Sequence, residues 1–182
     1  PWRYLGANQE LAPLEKGIAH LILTDLSKVT SLRLVEREQL RAVTDEIALG
    51  AAQRTEPATA ARSGRLVRAA RIVQGSFRDE ARGGNLRLDA NVVATQTGAI
   101  TARGTASDKL AQLFAMEKQV VLELLQQLRI NLSAAERRAI MERPTSDLQA
   151  FLAFSRGLDA EDRGDLRAAA QQYEAAVARD PN

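Results

Sequence analysis

The residues able to do chemistry are few and poorly grouped. His20 is the single histidine of the chain. It stands between Ala19 and Leu21 with no HxxxH spacing, so Asp and Glu alone would have to complete a metal site, and a structural or surface role is expected instead. Asp25 lies near the apolar stripe of the same stretch. A buried carboxylate there is expected to pair with Arg37 or Arg71 and fix its helix to a sheet, in preference to acid–base work. Glu36-Arg37-Glu38 is a charge run at a strand-to-helix junction, where Glu38 suits the positive end of a helix. Ser76 follows Gly75 but lacks the glycine and the nearby histidine that a nucleophile elbow needs. Gly83-Gly84 has no following Lys-Ser/Thr and no helix, so it reads as a turn and not as a phosphate loop. Arg62, Arg65, Arg68 and Arg71 recur every third residue and on a helix would form a slowly drifting basic stripe. That stripe reads as a solvated face or as a contact for an acidic partner or lipid head groups. Without aromatic side chains to stack on bases, nucleic acid is not expected. No nucleophile meets a base, so the expectation is no enzyme, no catalytic residue, no metal and no cofactor.

Composition sets the frame for these residues. The 182 residues are 45% apolar but only 4% aromatic, so a core must be packed from Leu, Val, Ile and Ala. No window approaches eighteen uninterrupted apolar residues. The 25 basic and 23 acidic residues leave a net charge of +2, weak ground for a polyanionic partner. With no cysteine, disulfides and thiolate metal sites are excluded within the segment. The chain starts at Pro1 with neither initiator Met nor signal peptide, which suggests that a leader has been removed.

Helical periodicity through Leu11, Leu14, Ile18, Leu21, Ile22, Leu26 and Val29 predicts a helix with one covering face. Leu32 to Val35 alternates as a short strand, and Glu38 to Leu49 returns to a helical pattern stopped by Gly50. Pro57 fits the first turn of another helix reaching about Ala70. Arg71 to Phe77 is a predicted strand in which Gly75 marks a bulge or a close backbone approach. Leu86, Leu88, Ala90, Val92 and Ala94 alternate as a half-buried strand, and Gln96-Thr97-Gly98 turns it into a hairpin with 99–106. Ser107 or Asp108 is expected to cap a long helix with the stripe Leu110, Leu113, Phe114, Val120, Val121, Leu124 and Leu128. Ser133 and Glu136 have the spacing of a capping box for a short linker helix ended by Pro144. The predicted class is α+β: a mixed sheet of about four strands packed with helices, followed by an all-α helical hairpin. The expected division is 1–131 for the α/β domain, 132–145 for the linker and 146–182 for the hairpin.

Residues 146–182 resemble a tetratricopeptide repeat through Gly157, Ala169, Tyr173, Ala176 and Pro181. Ala153, Arg156 and Ala160 depart from it, standing where the motif has larger apolar residues. Small residues let two helices approach, and Tyr173 fills the gap between them. A repeat of this kind needs neighbours to bury its face, and Asp180-Pro181-Asn182 resembles the joint to a next repeat. The stretches LEKGIAHLILTDLSKVTSLRLVEREQLRAVTDEIAL, SGRLVRAARIVQGSF and LRLDANVVATQTGAI resemble the curli-assembly lipoprotein family (CsgG-type), with the flagellar outer-membrane lipoproteins (FlgO-type) and the amino-terminal domain of TolB-like proteins as relatives. The likeness runs from about Leu11 to Leu128. It rests on Gly17 and Asp25-Leu26, on Val35-Glu36-Arg37, and on Gly64, Ala69-Ala70 and Gly75-Ser76.

The resemblance implies a periplasmic domain at the outer membrane, lipid-anchored through an upstream segment and prone to oligomerise. The first strand of the family is expected to be missing beyond Pro1-Trp2-Arg3-Tyr4. Residues 51–65 are too short and polar for the pore-lining hairpins of some relatives. The expected function is a non-enzymatic envelope scaffold that holds a protein partner through Leu152, Arg156, Asp159 and Asp162, with the four arginines as a second contact face. The alternative is a regulatory input module of a larger, cytoplasmic signalling protein.

Overall fold

The computed structural model describes residues 2–35, 68–80 and 85–181. A three-residue strand β1 (Trp2–Tyr4) leads through a 3₁₀ turn (Gln9–Leu11) into helix α1 (Leu14–Ser27). Strands β2 (Arg71–Asp79), β3 (Asn85–Ala94) and β4 (Ile100–Lys109) follow, then helix α2 (Leu113–Gln127). The chain closes with α3 (Ala134–Met141) and the hairpin α4 (Leu148–Asp162) and α5 (Leu166–Arg179).

The sheet order is β1-β2-β3-β4, with β1 parallel to β2 and the other pairs antiparallel. This is the mixed four-stranded α+β arrangement the patterning predicts, with the three-residue β1 at one edge. Alternation decides which face is buried: Leu86, Leu88, Ala90 and Val92 of β3 point to the helices with Phe77, Ala102 and Ala106. Along β4 the inward residues are small. A side chain at Gly104 would start 2.9 Å from the Val120 carbonyl oxygen, so α2 lies directly on the strand. The α2 residues Leu113, Val120, Val121, Leu124 and Leu125 are completely covered, and with Leu14 and Ile18 of α1 they form the centre of the core. That core does not stop at the sheet and its two helices. Ile140 of α3 and Phe151 and Leu152 of α4 belong to the same cluster, and Phe151 meets the Phe114 ring edge-on at 5.2 Å.

Several local expectations are corrected. Residues 32–35 form no strand; Leu32 donates to the Val29 carbonyl in a turn and Leu34 faces solvent, so the alternation there has no common buried face to satisfy. Gly75 is in register opposite Ala90, and the irregularity lies at Val92/Val93. The close-approach reading of Gly75 holds, since a Cβ there would sit 2.6 Å from both the Asp89 carbonyl oxygen and the Trp2 ring. Ser107 and Asp108 do not cap α2, because β4 continues to Lys109 and a 3₁₀ turn (Leu110–Gln112) precedes the helix. Pairing with β3 extends that strand past the residues that would suit a cap. The helices expected over 38–49 and 57–70, the Gly83-Gly84 turn, and Glu36, Arg37, Glu38, Arg62 and Arg65 lie outside the described residues, apart from the last three positions of the second helix. There Arg68 has φ +55° in a turn and Arg71 opens β2 with its side chain exposed, so no helical stripe runs through these two arginines.

Candidate functional site

Two places collect the polar residues singled out by the sequence: a buried charge cluster beneath α1, and the C-terminal hairpin. In the first, Asp25 is buried as expected, and its partners among the described residues are two lysines and not Arg71. Its Oδ1 accepts from Lys28 Nζ at 2.9 Å, and its Oδ2 is held by Lys118 of α2. Lys28 also donates to the Ala139 carbonyl at 2.9 Å, which extends the network to α3. Arg71 lies exposed at the start of β2 and Arg37 falls outside the described residues. Helical spacing could not reveal Lys118, because the contact joins residues 93 positions apart.

Glu117, next to Lys118, is fully buried and neither carboxylate oxygen accepts a hydrogen bond, although Lys118 Nζ comes within 3.2 Å of Oε2. Burial, and then the charge of Asp25, push its carboxyl up to about 8, against the opposing pull of the Lys118 ammonium. Glu117 is therefore held neutral at neutral pH beside the Asp25–Lys118 contact. The cluster fastens three helices and presents no carboxylate to an exterior substrate. An open cleft of about 380 Å³ borders it, lined by Ala115, Leu122, Gln126, Met141 and Arg143, and by Lys118, whose ammonium is already on Asp25. His20 packs edge-on against the Phe154 ring at 5.2 Å, and no group of three potential metal-binding side chains occurs among the described residues.

The start of the linker helix is held by the Glu136 carboxylate. The predicted capping box is present, with Glu136 Oε2 accepting from the Ser133 backbone N–H and hydroxyl at 2.8 Å. Glu136 Oε1 accepts from the backbone N–H and hydroxyl of Thr30, also at 2.8 Å. Four donors, with those from the Thr30 backbone foremost, hold its carboxyl down at about 2.

In the hairpin, Asp147 caps α4 through the Gln149 and Ala150 amides, and Asp165 caps α5 through Ala168. Gly157 faces the Tyr173 ring so closely that any Cβ would overlap it, and Tyr173 donates to Glu161 Oε2 at 2.6 Å. Ala169 and Ala176 are the buried residues of α5. The four residues chosen for partner binding are divided by the fold. Leu152 is buried in the main core, Arg156 is exposed, Asp159 binds Arg163 at the C-terminal end of its helix, and Asp162 is bridged to Lys16 of α1 at 2.6 Å. Two of the four therefore help to attach the hairpin. What sequence reading missed is the outer side of α5, where Leu166 is 70% and Val177 60% exposed, with Ala170 between them. The signal was present in the spacing 166, 170, 177, which keeps one face of a helix.

Taken together, the molecule is an α+β unit with a docked helical hairpin. Residues 1–79 match a family model described as the curli production assembly/transport component CsgG. The expected likeness extended to Leu128, past the end of that match. Among solved structures, the C-terminal domain of LpoB from Salmonella enterica is similar at 18% identity and a TM-score of 0.45, over 59% of this chain and 76% of that one. No curated protein matches the chain. No described helix is long and apolar enough to cross a membrane.

Proposed function

We propose that this chain is a non-enzymatic scaffold of the bacterial cell envelope, periplasmic and associated with the outer membrane, that holds another protein through its helical hairpin. The family-model match over residues 1–79 supports the envelope setting. The observation that carries the binding role is the outer face of α5, which leaves Leu166 and Val177 in water although the helix is long enough to bury them against a partner. The Gly157–Tyr173 contact and the buried Ala169 and Ala176 support a tetratricopeptide-like hairpin, whose stacking against a further helix would cover that face. Arg156 of α4 is exposed as well and is available as a polar contact. The test is site-specific photo-crosslinking in the intact bacterium, with the reactive group at Leu166 or Val177 and a control at Thr101 on the sheet. Defined adducts in the outer-membrane fraction from the two helix positions alone support the reading. Adducts confined to the cytosol, or equal adducts from Thr101, would refute it.

A further inference from the structure

The outer edge of β4 is occupied by side chains of the helix that lies across the sheet. Gln127 acts as a substitute peptide group: its Oε1 accepts from the Arg103 amide at 3.0 Å, and its Nε2 donates to the Arg103 carbonyl. One helical turn earlier, Glu123 Oε2 accepts from the Thr105 amide at 3.0 Å. A further turn back, Gln119 Nε2 donates to the Thr105 carbonyl at 3.3 Å and to Glu123 Oε1 at 3.3 Å. The match is geometric. Four residues of helix rise about 6 Å, and two residues of strand span about 6.7 Å, so a helix lying along the strand brings one side chain per turn to each outward peptide. The small inward residues Ala102, Gly104 and Ala106 let α2 come close enough for these side chains to reach. At the opposite edge, Glu15 Oε1 accepts from the Tyr4 amide of β1 at 2.6 Å.

We propose that Gln119, Glu123 and Gln127 form an edge lock that keeps β4 from pairing with the β4 of a second copy of this chain. An exposed row of N–H and C=O groups is a template for strand addition, and strand addition draws its affinity from the main chain and tolerates most sequences. The nearest extended segment of matching length is then the same strand of another molecule. With the lock in place, copies of the chain do not join through this sheet edge, and any association uses the helical faces. The inference stands on the sheet edge alone and does not depend on the function proposed for the hairpin.

The test compares the full chain with its Gln119→Ala/Glu123→Ala/Gln127→Ala variant, in which good helix formers replace three solvent-side residues. Hydrogen exchange at the Arg103 and Thr105 amides, read at a dilution where the variant is monomeric, should quicken at least about tenfold, and sedimentation at higher concentration should show more self-association than wild type at equal concentration. Adding Thr105→Pro removes the outward donor without touching the ladder to β3, and should restore the wild-type sedimentation. Unchanged exchange at the two amides overturns the proposal. So does faster exchange without self-association, which would leave only a stabilising contact, and so does self-association that Thr105→Pro fails to reverse. If the triple variant does not fold, Gln127→Met alone, read at the Arg103 amide and by sedimentation, decides in the same way.

Discussion

The two helices of the C-terminal hairpin differ from one another more than either differs from the rest of the molecule. α4 carries Phe151, Leu152 and Leu158 into covered positions and shares the core of the sheet, whereas α5 buries only Ala169 and Ala176. A helix is held mainly by the apolar face it buries, so α4 belongs energetically to the α/β unit and α5 depends on α4. Large side chains on one helix fix the hairpin to the body. Small ones on the other hold it weakly and leave its far side available.

That contrast can be broken most severely from α4 and the cluster beneath it. Phe151→Ala should cost about 3–5 kcal/mol of global stability, with the signals of sheet and helices lost in one urea transition; two separate transitions would show that α4 folds apart from the sheet. Lys118→Met leaves Asp25 buried with Lys28 alone and should cost a similar amount, about 3–5 kcal/mol by the same measurement.

The pH response sharpens the picture further. Because the folded protein holds the Glu117 proton up to about 8 while the unfolded chain releases it near 4.5, its contribution is complete below pH 4.5 and is lost as pH rises towards 8. Glu117→Gln should therefore flatten that slope and gain about 2–4 kcal/mol relative to wild type between pH 5 and pH 8.5, read from urea midpoints at the two values. An unchanged slope would mean that Glu117 is ionised in the folded state.

Smaller effects test the outer parts. Ser133→Ala removes one half of the capping box and should cost about 1 kcal/mol. Leu166→Ser with Val177→Ser should change stability by less than about 0.5 kcal/mol per site, yet abolish adducts from a crosslinker placed at Ala170 on the same exposed face. A large loss of stability in that double variant would place the two side chains in the core and remove the contrast between the hairpin helices.

Much of this was legible in the chain. Alternation from Leu86 to Val92 allows one register only, because a shift of one residue would turn Leu86, Leu88, Ala90 and Val92 to the wrong face. Ser133 and Glu136 announced their helix start because a capping box is complete within four residues. Gly157 and Tyr173 met because the hairpin between them is short. The α2 cap was misplaced for the opposite reason: whether Ser107 and Asp108 belong to strand or helix depends on β3, which pairs with both. Leu152 and Asp162 were assigned to a partner because one helix cannot disclose which of its faces the rest of the molecule will claim.

By itself, the sequence determined which segments are amphipathic and with what period, since that information is local and the hydrophobic effect acts on it directly. Only the tertiary structure decided that Asp25 is paired by Lys118, that Gln127 reaches the Arg103 peptide, and that Leu166 and Val177 remain outside. Each of these depends on how closely two distant elements approach, and that distance is set by the small side chains of β4 and α5 acting together with their neighbours, which no single stretch of chain encodes.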